Sequence, residues 1–275
     1  MLPGTLVFVV FILLPLLAVL ATSFTDWNAR TMSFTWVENY RRLVSDDVLW
    51  GALRNTTAYG AVGVFIQIPL GVAAGIILAQ RIQGWKAFRA ILFLPVVISG
   101  AALALIFANF YNPRYGLLNW ILGFFGYAGT DWLFDIDTSL WAVAGTFAFS
   151  VGFFMVLVMT EIASIPGEIL EAAEVDGASG WQRQTLIVLP LLRHVIGTCV
   201  LLSLLSTLGF FDLVYILTAG GPANSTVTLA LYAYRLYTSS DWGYANAVGV
   251  LIVLIGFVLI VGMRKLFQLG DRWAN

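Results

Sequence analysis

Apolar runs of about 20 residues recur along the whole of this chain, and that recurrence restricts its fold more than any single motif does. A run of this length crosses the hydrocarbon core of a bilayer as an α-helix. A sliding hydropathy window places such runs at residues 2–24, 56–80, 90–110, 139–159, 191–218 and 245–267. In hydrocarbon the backbone must satisfy its own hydrogen bonds, which leaves helices or closed barrels, and none of the runs alternates as a barrel strand does. The expectation is an all-α integral membrane protein with about six transmembrane helices, forming one transmembrane domain over residues 1–275. Composition agrees, since 60% of the residues are hydrophobic and 11% are charged, against roughly 25% charged in soluble domains.

The first run is too long for the apolar core of a leader, and the TDWNARTMS that follows offers no small-residue cleavage site, so it reads as a retained helix. The sequence begins almost inside it, which leaves room for a charged tail ahead. Orientation follows from the basic residues. Arg81, Lys86 and Arg89 crowd the second connection, and Arg264, Lys265 and Arg272 follow the last run, which puts both termini and the segment after Ile165 on the cytoplasmic side. Arg30, Arg41, Arg42 and Arg54 oppose this from the first external loop, where Asp26, Glu38, Asp46 and Asp47 offset them. Within the spans, Pro15, Pro69 and Pro95 each remove a backbone donor and are expected to bend their helices. Gly71 and Gly75, spaced G-x-x-x-G, fit ordinary close packing of helices.

Several classes of function are excluded. A net charge of −1 without a basic run argues against nucleic acid. The single cysteine, Cys199, rules out an intrachain disulfide framework. No phosphate loop, serine elbow, H-E-x-x-H or C-x-x-C occurs, so the chain reads as neither an enzyme nor the holder of a cofactor or metal. His194, beside Arg193 at the mouth of the fifth run, suits a headgroup contact. Asp212 is the acid that falls within a run, after Phe210 and Phe211 and before Tyr215. It reads either as a polar group on a solute path or as a hydrogen-bonding partner of a neighbouring helix. One acid is thin support for proton coupling, so the energy for transport is expected from elsewhere.

Residues 165–190, IPGEILEAAEVDGASGWQRQTLIVLP, interrupt the apolar pattern. Pro166 suits a helix start. Glu168, Glu171 and Glu174 recur every three residues on one face near the positive end of the helix dipole. Gly177 suits the turn that ends this helix, and Ser179 with Gln182 forms a capping-box pattern for a second helix running towards Leu189, with Pro190 marking entry into the fifth span. The small residues Ala172, Ala173 and Gly177 beside the acids point to a docking knob, because they allow another backbone to approach closely.

This segment resembles the EAA loop of binding-protein-dependent ABC importer permeases, through Glu171, Ala172 and Ala173, then Asp176 and Gly177, then Ile187, Leu189 and Pro190. The likeness continues in ENYRRLV, LRNTTAYG, FRAILFLPVVISG, GLLNWILGFFG and FDLVYILTAGGPANSTVTLALYAYR, in the manner of the first permease subunit of maltose-type and glycerol-3-phosphate-type uptake systems. The large external insertion of the enlarged maltose permease is missing. The resemblance implies a type I ABC importer permease fold with a cytoplasmic coupling helix in a loop at about 161–190, set in a bacterial or archaeal inner membrane. It implies as partners a second homologous permease, two cytoplasmic ATPase subunits that bind ATP and Mg, and an extracytoplasmic solute-binding protein. It places the ATPase joint on Glu168, Glu171, Ala172, Ala173, Asp176, Gly177, Ile187, Leu189 and Pro190. Sugars stack on aromatic rings and bind amides and acids through their hydroxyls, so Phe107, Asn109, Tyr111, Phe154, Phe210, Phe211, Asp212 and Tyr215 are the candidates for a substrate path. The expected solute is a mono- or oligosaccharide; glycerol-3-phosphate or another polyol is the alternative, and an ion-coupled secondary transporter a more remote one.

Overall fold

The computed structural model describes residues 2–267; Arg272, used above for orientation, lies outside them. Pro3–Thr22, Asp47–Ala79, Ile136–Ala163 and Trp242–Phe267 are helices long and apolar enough to cross a membrane. Two further crossings are bent pairs: Trp85–Val97 with Gly100–Phe110, turned by 105°, and Gly180–Leu191 with Arg193–Leu208, turned by 63°. Counting each pair once gives six spans. The second and fourth spans form the centre of the bundle, whereas the first is exposed along its whole length.

The breaks correct the expected outlines. The third run, expected as one helix over 90–110, stops at Val97, just after Pro95, and Ile98 is extended with ψ 137°. Ser99 then starts a new helix by accepting the backbone N–H of Ala102 on its side chain at 3.3 Å. The fifth run, expected over 191–218, also comes apart. Its bend falls at Leu192, after Pro190, and its helix ends at Leu208; a separate short helix, Asp212–Thr218, follows. Pro15 and Pro69 do not break their spans. Each follows a π-helical turn, Val9–Leu13 and Gly63–Gln67 respectively, that widens the helix where the proline cannot donate, and the spans run on. A third such turn, Arg183–Val188, precedes Pro190.

The fourth span is interrupted at Phe149–Val151, which frees backbone carbonyls in the middle of the bundle. Gln67 of the second span closes the gap. Its buried amide donates to the carbonyl oxygens of Phe147 at 3.1 Å and Ser150 at 3.3 Å, and its own oxygen accepts from the Ser203 hydroxyl at 3.3 Å. Second, fourth and fifth spans are thus joined by one side chain. Gly71 and Gly75 do what their spacing suggested: β-carbons there would lie 2.9 Å from Phe154 Cβ and 2.7 Å from Val158 Cγ1. These neighbours rise together in number, so the second and fourth spans run parallel and end on the same side.

At the other end of the bundle a short hairpin, β1 (Thr25–Trp27) against β2 (Met32–Phe34), leads to the helix Glu38–Ser45. Asp46 fastens this loop to the rest. Its Oδ1 caps the second span by accepting from Val48 N–H at 2.9 Å, and its Oδ2 accepts from the Tyr232 hydroxyl and, at 2.6 Å, from that of Tyr244. Arg42 adds an ion pair to Asp241 at 2.6 Å and lies over the Tyr244 ring. Burial alone would raise the Asp46 carboxyl, but the hydrogen bonds from Tyr232, Tyr244, Leu49 N–H and Val48 N–H outweigh it and hold the group below its ordinary value.

Replacing Gln67 with Leu strands the Phe147 and Ser150 carbonyls and is expected to cost about 1–3 kcal/mol, read as a lowered thermal midpoint in detergent. A carboxyl whose pKa is depressed by folding stabilises above its unfolded value, about 3.9 for Asp, and that stability is lost as pH falls through the folded value. The midpoint should therefore hold at neutral pH and drop below about pH 4, with a shallower drop in Asp46→Asn.

Candidate functional site

The polar segment predicted from sequence folds as two capped helices at the end where the fourth span stops. Pro166 precedes the helix Gly167–Val175, taking an extended ψ of 131° that aims the chain into it. The helix ends in a Schellman turn. Ala178 N–H reaches the Ala173 carbonyl at 2.9 Å and Gly177 N–H that of Glu174 at 3.1 Å, while Gly177 itself sits at φ +81°. Left-handed backbone of this kind disfavours a β-carbon, so glycine suits the turn better than any other residue. The capping box is also present, with Ser179 N–H donating to Gln182 Oε1 at 2.8 Å and Gln182 N–H to the Ser179 hydroxyl at 3.3 Å.

Packing decides which face of the first helix stays free. Ala173 is buried, and Leu170 and Ile165 settle on a cluster that includes Val158, Val188 and Leu192. Glu168, Glu171, Ala172 and Asp176 face outward, together with Gly177. Glu174 is engaged by Arg183 of the second helix at 3.4 Å, an exposed contact of small energetic weight. No such pair holds Glu168 or Glu171 among the described residues. Val175, 87% exposed, and Trp181, 78% exposed, extend this acidic face with an apolar one. Of the remaining candidates, Ile187 is half-buried and Leu189 and Pro190 are exposed.

The substrate-path candidates divide. Phe107, Tyr111 and Phe210 share one buried cluster, because the short helix Asp212–Thr218 packs on Gly100–Phe110. Tyr111 donates its hydroxyl to the Ala142 carbonyl at 2.9 Å and so acts as a packing residue. Phe154 is buried elsewhere, against Gly71 in the second span. Asn109, Asp212 and Tyr215 are exposed and Phe211 is half-buried. Phe211 stacks on Tyr215 with ring centroids 5.2 Å apart, and Tyr234 stands edge-on to both at 4.9 and 5.6 Å. Asp212 does not sit within a span as expected; it opens a helix and lies against the start of another, its carboxylate 3.4 Å from where a Gly100 β-carbon would be.

Sequence reasoning missed Tyr234 and Gln67. Tyr234 lies in the helix Leu229–Thr238, outside every hydropathy span. Gln67 is uncharged and vanishes into an apolar window, although an amide at that depth was a visible signal. Thr228, also missed, donates to the Phe210 carbonyl at 2.7 Å and closes the break before Asp212. A cleft of about 450 Å³ between the second, third and fourth spans, walled by Val62, Leu70, Pro95, Ala144 and Phe149, is apolar and holds none of the candidates.

Four long apolar helices, two sharply bent helix pairs and a capped polar loop at one end make this a membrane-embedded helical bundle. Residues 67–269 match the family described as binding-protein-dependent transport system inner membrane component, and the chain belongs to that family. It is 30% identical to the trehalose/maltose transport system permease protein MalF of Thermococcus litoralis, with 94% of this chain and 90% of that one covered. It is 33% identical to the lactose transport system permease protein LacF of Rhizobium radiobacter, covering 98% and 92%. Among solved structures, a bacterial ABC transporter that imports the acidic polysaccharide alginate superposes with a TM-score of 0.85 at 21% identity, over 97% of this chain and 93% of that one. The fold is that of a type I ABC importer permease, and the chain is the permease subunit of such an importer.

Gly177→Val forces a β-branched residue into left-handed backbone, at a cost of about 1–2 kcal/mol. The turn should open, seen as faster amide exchange over 173–180 with the spans unchanged.

Proposed function

We propose that this permease carries a mono- or oligosaccharide across the inner membrane, paired with a second homologous permease and driven by two cytoplasmic ATPase subunits that bind ATP and Mg. An extracytoplasmic binding protein delivers the sugar at the end opposite the 161–190 loop. The observation that carries the ATPase joint is the outward face of the Gly167–Val175 helix, where Glu168 and Glu171 have no ion pair among the described residues and stand beside Ala172 and Gly177. Such a face fits a socket with basic walls: the small residues admit close backbone approach and the acids supply charge-assisted contacts. Ile187, Leu189 and Pro190 carry the second helix into the bend at Leu192, so a pull on the loop is transmitted to the fifth span. ATP closure of the ATPases and docking of the loaded binding protein favour different states of the bundle, and that difference drives transport. The basic residues Arg81, Lys86, Arg89, Arg264 and Lys265 support a cytoplasmic side for the loop and both termini.

The sugar reading draws on the relatives named for trehalose/maltose and lactose. The exposed Tyr215 and Tyr234 rings and the half-buried Phe211, beside Asp212, suit a neutral polyhydroxyl solute, with stacking on the rings and hydroxyls on the acid. A phosphorylated solute would meet that carboxylate's charge.

Glu171→Lys should abolish ATP hydrolysis stimulated by the loaded binding protein while the chain still inserts; normal stimulation in the variant would sink the joint. A thermal-shift screen of the binding protein should show stabilisation by unphosphorylated sugars, and a response to phosphorylated polyols alone overturns the sugar reading.

A further inference from the structure

On the side of the bundle that carries the 161–190 loop, the third span opens at Trp85 after a turn through Arg81 and Gly84, both at positive φ. Gly152 packs against the backbone of Leu92 and Phe93, so the third span runs antiparallel to the fourth and its first turns lie beside Val156. Between them is an open cleft of about 490 Å³ lined by Trp85, Lys86, Arg89, Ala90, Phe93 and Val156. Its mouth is cationic and its floor apolar. Among the described residues, no ion pair joins Lys86 or Arg89 to an acid. Lys86 Nζ lies 5.9 Å from the Trp85 ring centroid, a ring of the kind that settles at the membrane boundary. Phe88, Ile91 and Leu94, 54%, 66% and 58% exposed, continue the cleft along the outside of the span as an apolar strip.

We propose that this cleft holds an anionic phospholipid, its phosphate on Lys86 and Arg89 and the start of an acyl chain against Ala90, Phe93 and Val156. Two cations without an acidic partner among the described residues complement a phosphate at the edge of hydrocarbon, and the strip beyond them matches a tail. A free phosphate would use the cations but leave the apolar floor to water. The site depends on the membrane embedding of the chain and not on which solute is imported.

Native mass spectrometry of the full-length chain in its detergent-purified complex tests it, with phosphatidylglycerol, phosphatidylcholine and glycerol phosphate as probes. Phosphatidylglycerol should bind more tightly than phosphatidylcholine, and Lys86→Gln with Arg89→Gln should weaken it roughly tenfold. The charge-preserving pair Lys86→Arg with Arg89→Lys should retain it, and Arg30→Gln with Arg54→Gln, at the opposite end, should leave it unchanged. Equal binding of phosphatidylcholine, or an equal loss in the Arg30/Arg54 variant, overturns the site. Glycerol phosphate binding as tightly as the lipid overturns the lipid assignment in favour of a free phosphate. Loss of an ATPase subunit from the Lys86/Arg89 variant with its lipid retained makes the patch a protein interface and also overturns it.

Discussion

A carbonyl without a partner in hydrocarbon costs several kcal/mol, so a spanning helix can be broken only where something else supplies the missing hydrogen bond. The bundle is organised by that constraint. Gln67 reaches from the second span to the carbonyls freed at Phe149–Val151, Thr228 reaches back to Phe210 at the end of the fifth helix, and Ser99 caps the helix that restarts after Pro95. Gln67 and Thr228 donate from distant places in the chain and so tie neighbouring segments together, whereas Ser99 accepts from an N–H of its own helix. Because Gln67 also accepts from Ser203, the second, fourth and fifth spans meet at one buried amide.

The breaks have a further consequence for transport. A continuous helix presents only side chains, whereas these interruptions bring two helix starts, at Gly100 and Asp212, to the same spot with one carboxylate beside them. The half-buried Phe211 ring and the exposed Tyr215 and Tyr234 rings lie next to it. At the opposite end the 161–190 loop is shaped by a Schellman turn and a capping box, and its second helix runs directly into the bent fifth span. The proposed ATPase joint and the proposed sugar path are therefore connected through the same fifth span.

Much of this was legible in the residues. The hydropathy runs located every crossing, Gly177 and the Ser179–Gln182 pair announced their caps, and Gly71 and Gly75 announced a close helix contact. These are local signals: a left-handed turn needs glycine, a capping box needs its pair at fixed spacing, and a missing side chain leaves room whatever the neighbour is. The bends were placed less well. Pro15 and Pro69 carried the same signal as Pro95, yet their helices absorb them in π-helical turns, while the span at Pro95 turns by 105°. Proline removes the same donor in each case; whether the helix then widens or stops depends on what packs beside it and on whether a cap such as Ser99 stands ready.

By itself, the sequence determined the solvent of this protein, the helical form of its spans and the capped shape of its polar loop, because each follows from composition or from spacing within one turn of helix. Only the tertiary structure decided that Phe107, Tyr111, Phe154 and Phe210 are packing residues while Phe211, Asp212 and Tyr215 face outward, and that Tyr234 joins them. Aromatic residues look alike in an apolar run, and which of them a neighbouring helix covers is settled by contacts between segments far apart in the chain.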